Sequence, residues 1–359
     1  MKKFLTFAAL VSLAAGFISC NNESDVPGAV TPSVGDMVHL RITASNPESF
    51  DTRTMVGDDG KTPLWSPEDA IGVSVFVDGA YTNYEFSNES SEPSEVTTFA
   101  GMTAVSDVIY TYFPYTAGSV NSDGEVLLAI PAGQHPAAAS FDGSADLLVG
   151  KPVPMTASTG KIEGLQFKRV GAFLKIVLDD QSGMLEAQKV KSLSVTAAGN
   201  LAGGVRLDIV NGELSEIYAD GSRTVTATYT DDTQYPAVGG AAFLGVYPQT
   251  LASGSALTVS VVTDSYEISR TISLQSDIEL SAGKITTLTV KIDEENFEEK
   301  QIVISEAFPD PIFRQYVLDN FDTDKDGFLS AQEAAAVTHI EVAGTFSQPN
   351  ECASLEGIR

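Results

Sequence analysis

The residues best suited to chemistry lie near the C-terminus. In Asp322-Thr-Asp324-Lys-Asp326-Gly327-Phe328-Leu329-Ser330-Ala-Gln-Glu333, oxygen donors recur at the first, third, fifth, seventh, ninth and twelfth positions of a twelve-residue loop. Asp322, Asp324 and Asp326 offer carboxylates, Phe328 a backbone carbonyl, Ser330 a hydroxyl acting directly or through water, and Glu333 a bidentate carboxylate. That donor set, hard and oxygen-only, is the one calcium selects. Gly327 permits the sharp turn at position six, and Leu329 at eight is an apolar residue that faces a partner loop in paired sites. Four carboxylates so close together repel one another without a cation. The competing reading is an acidic loop that binds nothing. With one such loop in the chain, a structural ion is expected rather than a switch. Extracellular modules of this type bind at roughly 10⁻⁴–10⁻³ M, so the site would stay filled outside a cell.

Helices must hold that loop. Ile312, Phe313, Tyr316, Val317 and Phe321 recur at helical spacing behind Pro309-Asp310-Pro311, and Ala331–Val337 supplies a short second helix. Upstream, residues 36–292 read as almost entirely β. Val38, Leu40 and Ile42 alternate with polar residues, as do Val225, Ala227 and Tyr229, and Leu288, Val290 and Ile292. Leu257–Val262 and Tyr266–Leu274 flank a turn at Thr263-Asp264-Ser265. Asp-Gly and Asn-Gly turns recur throughout. Short strands with regular turns predict β-sandwiches. Met184–Gln188, a weak helical stretch, marks the expected junction between two of them. The acidic run 293–300 reads as an exposed linker.

Composition narrows the function. The 359 residues carry 21 Lys+Arg against 48 Asp+Glu, a net charge of −27, which argues against a nucleic-acid partner because phosphate binding needs a basic face. His39, His135 and His339 fall in separate segments with no ligand spacing, and two cysteines exclude a disulfide scaffold. No nucleophile elbow, Walker loop or dinucleotide fingerprint is present, so no enzymatic activity is expected. A carboxylate pair of the glycosidase kind, which meets only in space, is the one catalytic arrangement left open. Trp65 reads as core. Tyr110, Tyr112, Phe113 and Tyr115 read as a strand with a Pro-containing turn, the alternative being an exposed patch for glycans.

The N-terminus is an address. Lys2 and Lys3 precede an apolar run, Phe4–Ile18, too short to span a bilayer comfortably, and Cys20 follows Ser19 where the composition turns polar. This arrangement resembles a bacterial lipobox, which implies a signal peptide over 1–19, lipidation of Cys20 and a tether over 20–35. The alternative is a plain secretory signal with an incidental Cys20. Cys352 is then expected to be a buried or free thiol.

The β region resembles the fimbrillin-like (Mfa-like) surface lipoproteins of Bacteroidales. The marks are Thr52-Arg53-Thr54, Trp65, Asp69-Ala-Ile71-Gly72-Val73, Tyr112-Phe113-Pro114-Tyr115 and Ile130-Pro131-Ala-Gly-Gln134. Asp146-Leu-Leu-Val-Gly150, Leu165-Gln-Phe167-Lys168-Arg169, Phe243-Leu-Gly-Val-Tyr247-Pro248 and Ala282-Gly283-Lys284 continue the series in order. The resemblance implies two tandem transthyretin-like β-sandwich domains, 36–182 and 183–292. In pilus-building members a protease cuts after an Arg on or near the first strand, and a neighbour's strand fills the vacated groove. Arg41, inside the alternating Val38–Ile42 segment, and Arg53 are the positions this implies; the alternative is two ordinary surface arginines. The loop resembles an EF-hand, giving a small helical calcium module over 301–342. Phe308-Pro-Asp310 through Phe321-Asp322 resembles modules that precede leucine-rich repeats, with Thr338–Val342 like a first repeat strand. Residues 343–359 read as a truncated repeat-like tail, expected to pack poorly because about three repeats are needed for a core.

These readings together describe a non-enzymatic lipoprotein, anchored by lipid in the outer membrane and exposed on the cell surface, with calcium as its cofactor. It would serve adhesion or act as a pilus tip or accessory subunit, partnering fimbrial subunits by strand exchange or a host or bacterial surface protein or glycan. A donor strand would lie near the chain end, where a linker and calcium module stand instead, so a stalk subunit is disfavoured. The alternative is a pilus-independent lipoprotein that binds a glycan or protein.

Overall fold

The computed structural model describes residues 33–45, 64–118, 120–137, 140–156, 159–341 and 354. The expected signal peptide, Cys20, Arg53, Cys352 and nearly all of the 343–359 tail lie outside them. Among the described residues the protein is mainly β, with three short α-helices near the C-terminus.

The first β unit is built from β1 (Met37–Ser45), β2 (Ala70–Val77), β3 (Ala80–Asn88), β4 (Val96–Ala104) and β5 (Val108–Phe113). The chain returns to it for β8 (Leu148–Gly150), β9 (Val153–Pro154) and β10 (Lys161–Arg169). The sheet order is β2-β3-β4-β1-β10-β8-β5-β9, and β2 pairs with β5 as well, so the sheet closes on itself. Alternation decides which side chains face inward: Leu40, Ile42 and Ala44 on β1 are fully buried while Arg41 is exposed. The β2–β3 hairpin turns at Asp78-Gly79, both with positive φ (52° and 81°), which suits a tight turn between twisted strands. Trp65 is fully buried in this core, with Phe99, Phe113 and Phe167 packed edge-on at ring-centroid distances of 5.0, 5.5 and 5.5 Å.

Between the two visits, the chain crosses into the second β unit. There β6 (Glu125–Ile130) pairs with Ala202–Asp208, and β7 (Gly133–Gln134) lies parallel to Thr224–Thr228. After β10 it crosses for good into β11 (Ala172–Asp180), which lies between Ala242–Val246 and Ile285–Ile292. Val126, Leu128 and Ile130 therefore share a core with Leu174, Ile176, Leu193 and Val259. Strand pairing does not follow the expected boundary at 182/183: β6, β7 and β11 all pair with strands of the second unit. Strand periodicity gives a strand's buried face but not its partner, so it could not reveal this excursion. Met184–Gln188 is not helical; the Asp180 carboxylate instead accepts the backbone N–H groups of Ser182, Gly183 and Leu185, which fixes a turn.

The excursion is stapled by Gln134. Its buried side-chain amide donates to the carbonyl of Gly245 (2.7 Å) and accepts from the Gly245 N–H (2.9 Å). It thus does for the edge of Ala242–Val246 what a neighbouring strand would do. A Cβ at Gly245 would fall 2.4 Å from that of Ala145, so only glycine lets the 143–145 turn approach this strand.

The run 293–300 is not a free linker, as its charge suggested. Glu294–Asn296 forms a 3-10 turn, and Phe297–Glu299 pairs antiparallel with Tyr266–Ser273, with Phe297 against Tyr266. Beyond it lie α1 (Ile304–Ala307), α2 (Pro311–Asn320) and α3 (Ala331–Ala336). Ile304, Phe308, Phe313, Val317 and Leu329 form their small core.

Candidate calcium loop and first-strand groove

The loop hangs between α2 and α3. The Asp310 carboxylate caps α2 by accepting from the N–H groups of Ile312 and Phe313 (both 2.9 Å), and Pro311 fills the first turn. Phe313 and Val317 anchor the helix in the core, which places Asp322 just beyond its end. Asp322 is buried, and its two oxygens accept from Asp326 N–H (3.2 Å) and Gly327 N–H (3.0 Å). Lys325 (φ 62°) and Gly327 (φ 87°) turn the chain back. Ser330 caps α3 in a reciprocal box with Glu333, whose other oxygen accepts from Thr323 N–H and Oγ (both 2.6 Å). Glu333 therefore ties the two ends of the loop together.

Among the described residues, carboxylate oxygens of Asp322, Asp324 and Glu333 lie within 4.8 Å of one another. Calcium–oxygen bonds of about 2.3–2.6 Å place opposed ligands about 5 Å apart, so this trio fits such an ion, and its all-oxygen chemistry disfavours softer metals. The Asp326 carboxylate lies outside this trio and accepts from Phe328 N–H (2.8 Å). Phe328 and Ser330 lie on the short strand Phe328–Ser330. Hydrogen bonds from the Thr323 hydroxyl and then from the Ser330 and Thr323 N–H groups pull Glu333 down to about 2. Asp324 is pushed up by lost hydration and then by repulsion from Asp326, Glu333 and Asp322. One partner was not legible beforehand: Gln301–Val303 pairs with Phe328–Ser330, with Ile302 opposite Leu329, and so takes the place a second loop would fill.

The second candidate site is β1. It pairs antiparallel with β4 over all nine residues and parallel with β10 on its other edge. Arg41 sits in mid-ladder, its guanidinium paired with Glu89. Tyr110, Tyr112 and Phe113 lie on β5, the strand expected there, rather than forming the alternative exposed patch: Tyr112 and Phe113 are buried, while Tyr110 and Tyr115 are half-buried. Gly72 explains Tyr112, whose ring lies where a Cβ at 72 would stand, 2.1 Å from Cε1. The three histidines are exposed and lie in separate segments.

Sequence reasoning gave Asp69 no role beyond that of a family mark. It lines a cleft of about 540 Å³ with Ser66, Phe113, Tyr115, Phe141 and Asp142. Burial, with repulsion from Asp146 and Glu68 beyond it, raises Asp69 to about 6 against the Ser66 N–H bond. A carboxyl raised on folding contributes stability below its unfolded value that is lost as pH rises through about 6. Asp69→Asn, which keeps the acceptor, is expected to stabilise the protein at pH 7.5 by about 1–2 kcal/mol, discounted for residual solvent. The gain should vanish by pH 4, as read by urea denaturation at both pH values.

A family model described as fimbrillin-like matches residues 52–306. The chain belongs to the fimbrillin-like family. Solved structures similar to this fimbrillin-like chain include a candidate cell adhesion protein from Bacteroides uniformis ATCC 8492, 17% identical, with TM-score 0.47, covering 73% of this chain and 96% of that one. Another, from Bacteroides fragilis NCTC 9343, is 16% identical with TM-score 0.42 over the same shares. A fimbrial protein from Bacteroides ovatus ATCC 8483 is 14% identical with TM-score 0.36, covering 72% of this chain and 49% of that one. No curated protein matches the chain. No helix among the described residues is long and apolar enough to cross a membrane. The family marks now have physical roles: Trp65 fills a core, Gly72 admits Tyr112, Gln134 staples Gly245, and Asp146 meets Arg169.

Proposed function

We propose that this fimbrillin-like chain is a non-enzymatic, lipid-anchored surface protein acting in adhesion or as a pilus tip or accessory subunit, with a calcium-stabilised module. The observation that carries the reading is β1. It contributes three fully buried side chains and hydrogen-bonds along both edges, so its release would open a groove lined by β4 and β10. Such a groove regains a full ladder from an incoming strand. Cleavage after Arg41 would split β1 and leave Ile42–Ser45 in place, whereas cleavage after Arg53 would free the strand whole. The segment after the last sandwich strand is itself paired, through Phe297–Glu299 and Gln301–Val303, which supports a subunit that accepts a strand rather than donating one. In the calcium module, Asp322, Asp324 and Glu333 would hold the ion, with Phe328 and Ser330 on the strand beside it and Asp326 needing to swing inward.

The test is limiting Arg-specific proteolysis of the protein lacking residues 1–19, read on unboiled SDS gels with N-terminal mapping. A ladder is expected from wild type and from Arg41→Ala but not from Arg53→Ala. A single monomeric band from all three would remove the strand-exchange reading. One observation favours the pilus-independent alternative: Phe76, 48% exposed, packs at a tilt against Tyr81 (4.9 Å), and Tyr81 meets Tyr110 edge-on (5.9 Å), giving a short aromatic row at the surface.

A further inference from the structure

We infer that cation binding at the 322–333 loop sets the order of the junction between the second β unit and the helical module, so that the two are rigidly joined only when the ion is bound. The inference rests on the calcium reading above and adds a mechanical role to it. Residues 297–304 contain no free spacer. Phe297–Glu299 belongs to the β-unit sheet, paired with Ile268, Glu267 and Tyr266. Lys300 follows, donating its backbone N–H to Ser265 O (2.9 Å) and its Nζ to Thr263 O (2.7 Å). Gln301–Val303 then pairs with Phe328–Ser330, and the N–H of Ile304 donates to Gly327 O (3.3 Å). One extended run thus leaves the β unit and enters the calcium loop directly.

The junction is weak without help. Glu298 lies directly opposite Glu267, a like-charge pair that destabilises a ladder. The pairing there is only three residues long on each side. A cleft of about 640 Å³ also brings Glu299 and Gln301 of the junction alongside Asp324 and Glu333 of the loop. Without a cation, carboxylates from both segments crowd one cavity. With a divalent ion, two of these negative charges are offset and strand Phe328–Ser330 is fixed as a template for Gln301–Val303. Leu329, in the middle of this pairing, and Ile304, directly after Val303, are two of the five buried residues of the module core. A core so small relies on an added staple.

Amide hydrogen exchange of the full chain, in calcium and in EGTA, tests this alongside calorimetric calcium titration. Calcium is expected to slow exchange about tenfold or more at 322–333 and also at 297–303 and Ser265–Glu267. Because linkage is reciprocal, Ile302→Pro should weaken calcium binding by about fivefold or more. Glu298→Lys, an exposed change that turns the opposed glutamates into an attractive pair, should protect 297–303 even in EGTA and shrink the calcium-dependent difference. Protection confined to 322–333, with 297–303 unchanged, overturns the coupling while the calcium site stands. No binding heat and no protection at the loop overturns both.

Discussion

Replacing Arg169 by alanine is expected to destabilise the protein by about 3–5 kcal/mol. Arg169 Nε donates to both oxygens of Asp146 (3.0 and 3.2 Å) and Nη2 to one of them (3.0 Å), with both side chains fully buried. The pair sits where the chain passes between the β units: Asp146 closes the excursion, and Arg169 ends β10 just before the final crossing. Burial raises the Asp146 carboxyl, opposed by the guanidinium. Without Arg169 nothing opposes the effect of burial, so Asp146 is stranded in low dielectric. The cost of Arg169→Ala should therefore shrink as pH falls and Asp146 takes up a proton. A double variant, Asp146→Leu with Arg169→Met, is expected to lose less than either single change, since a buried pair contributes little net stability over apolar packing. Denaturation of the three variants at pH 5 and pH 7.5 checks this. A single-variant loss below about 1 kcal/mol would show that the pair is solvated.

Removing calcium is expected to loosen the helical module while leaving the β units folded. At a dissociation constant of about 10⁻⁴–10⁻³ M, roughly 10 mM calcium would stabilise the module by about 1.4–2.7 kcal/mol through linkage. That is a large share of what a five-residue core can supply. Limited proteolysis in EGTA should cut within 301–341 and leave a resistant β body. Asp322→Ala should show that cleavage with calcium present, because Asp322 both faces the proposed ion and holds the N–H groups of Asp326 and Gly327. Equal resistance in calcium and EGTA would remove the metal from the account.

Much of the local structure was legible. The hairpin flanking Thr263–Ser265 forms as Ala256–Val262 and Tyr266–Ser273, because alternation and turn residues are local properties of the chain. The helix behind Asp310-Pro311 forms for the same reason, its cap and its first-turn proline being neighbours in sequence. The loop's spacing was likewise legible, since its donors are only eleven residues apart from end to end. The acidic run was misread because Phe297 finds its partner, Tyr266, 31 positions away, and charge composition cannot report a distant strand edge.

Most strands and turns, the start of the Asp310-capped helix and the oxygen-donor spacing were readable along the chain, because each depends on residues within a few positions of each other. The strand partners of β6, β7 and β11, and the completion of the edge at Gly245 by Gln134, came from the tertiary structure. It alone placed Asp146 against Arg169 and gave Phe328–Ser330 its partner strand. These are contacts between segments far apart in the chain. They are selected by which arrangement buries the most apolar surface while leaving the fewest backbone and charged groups unpaired, and that choice belongs to the whole fold rather than to any window of residues.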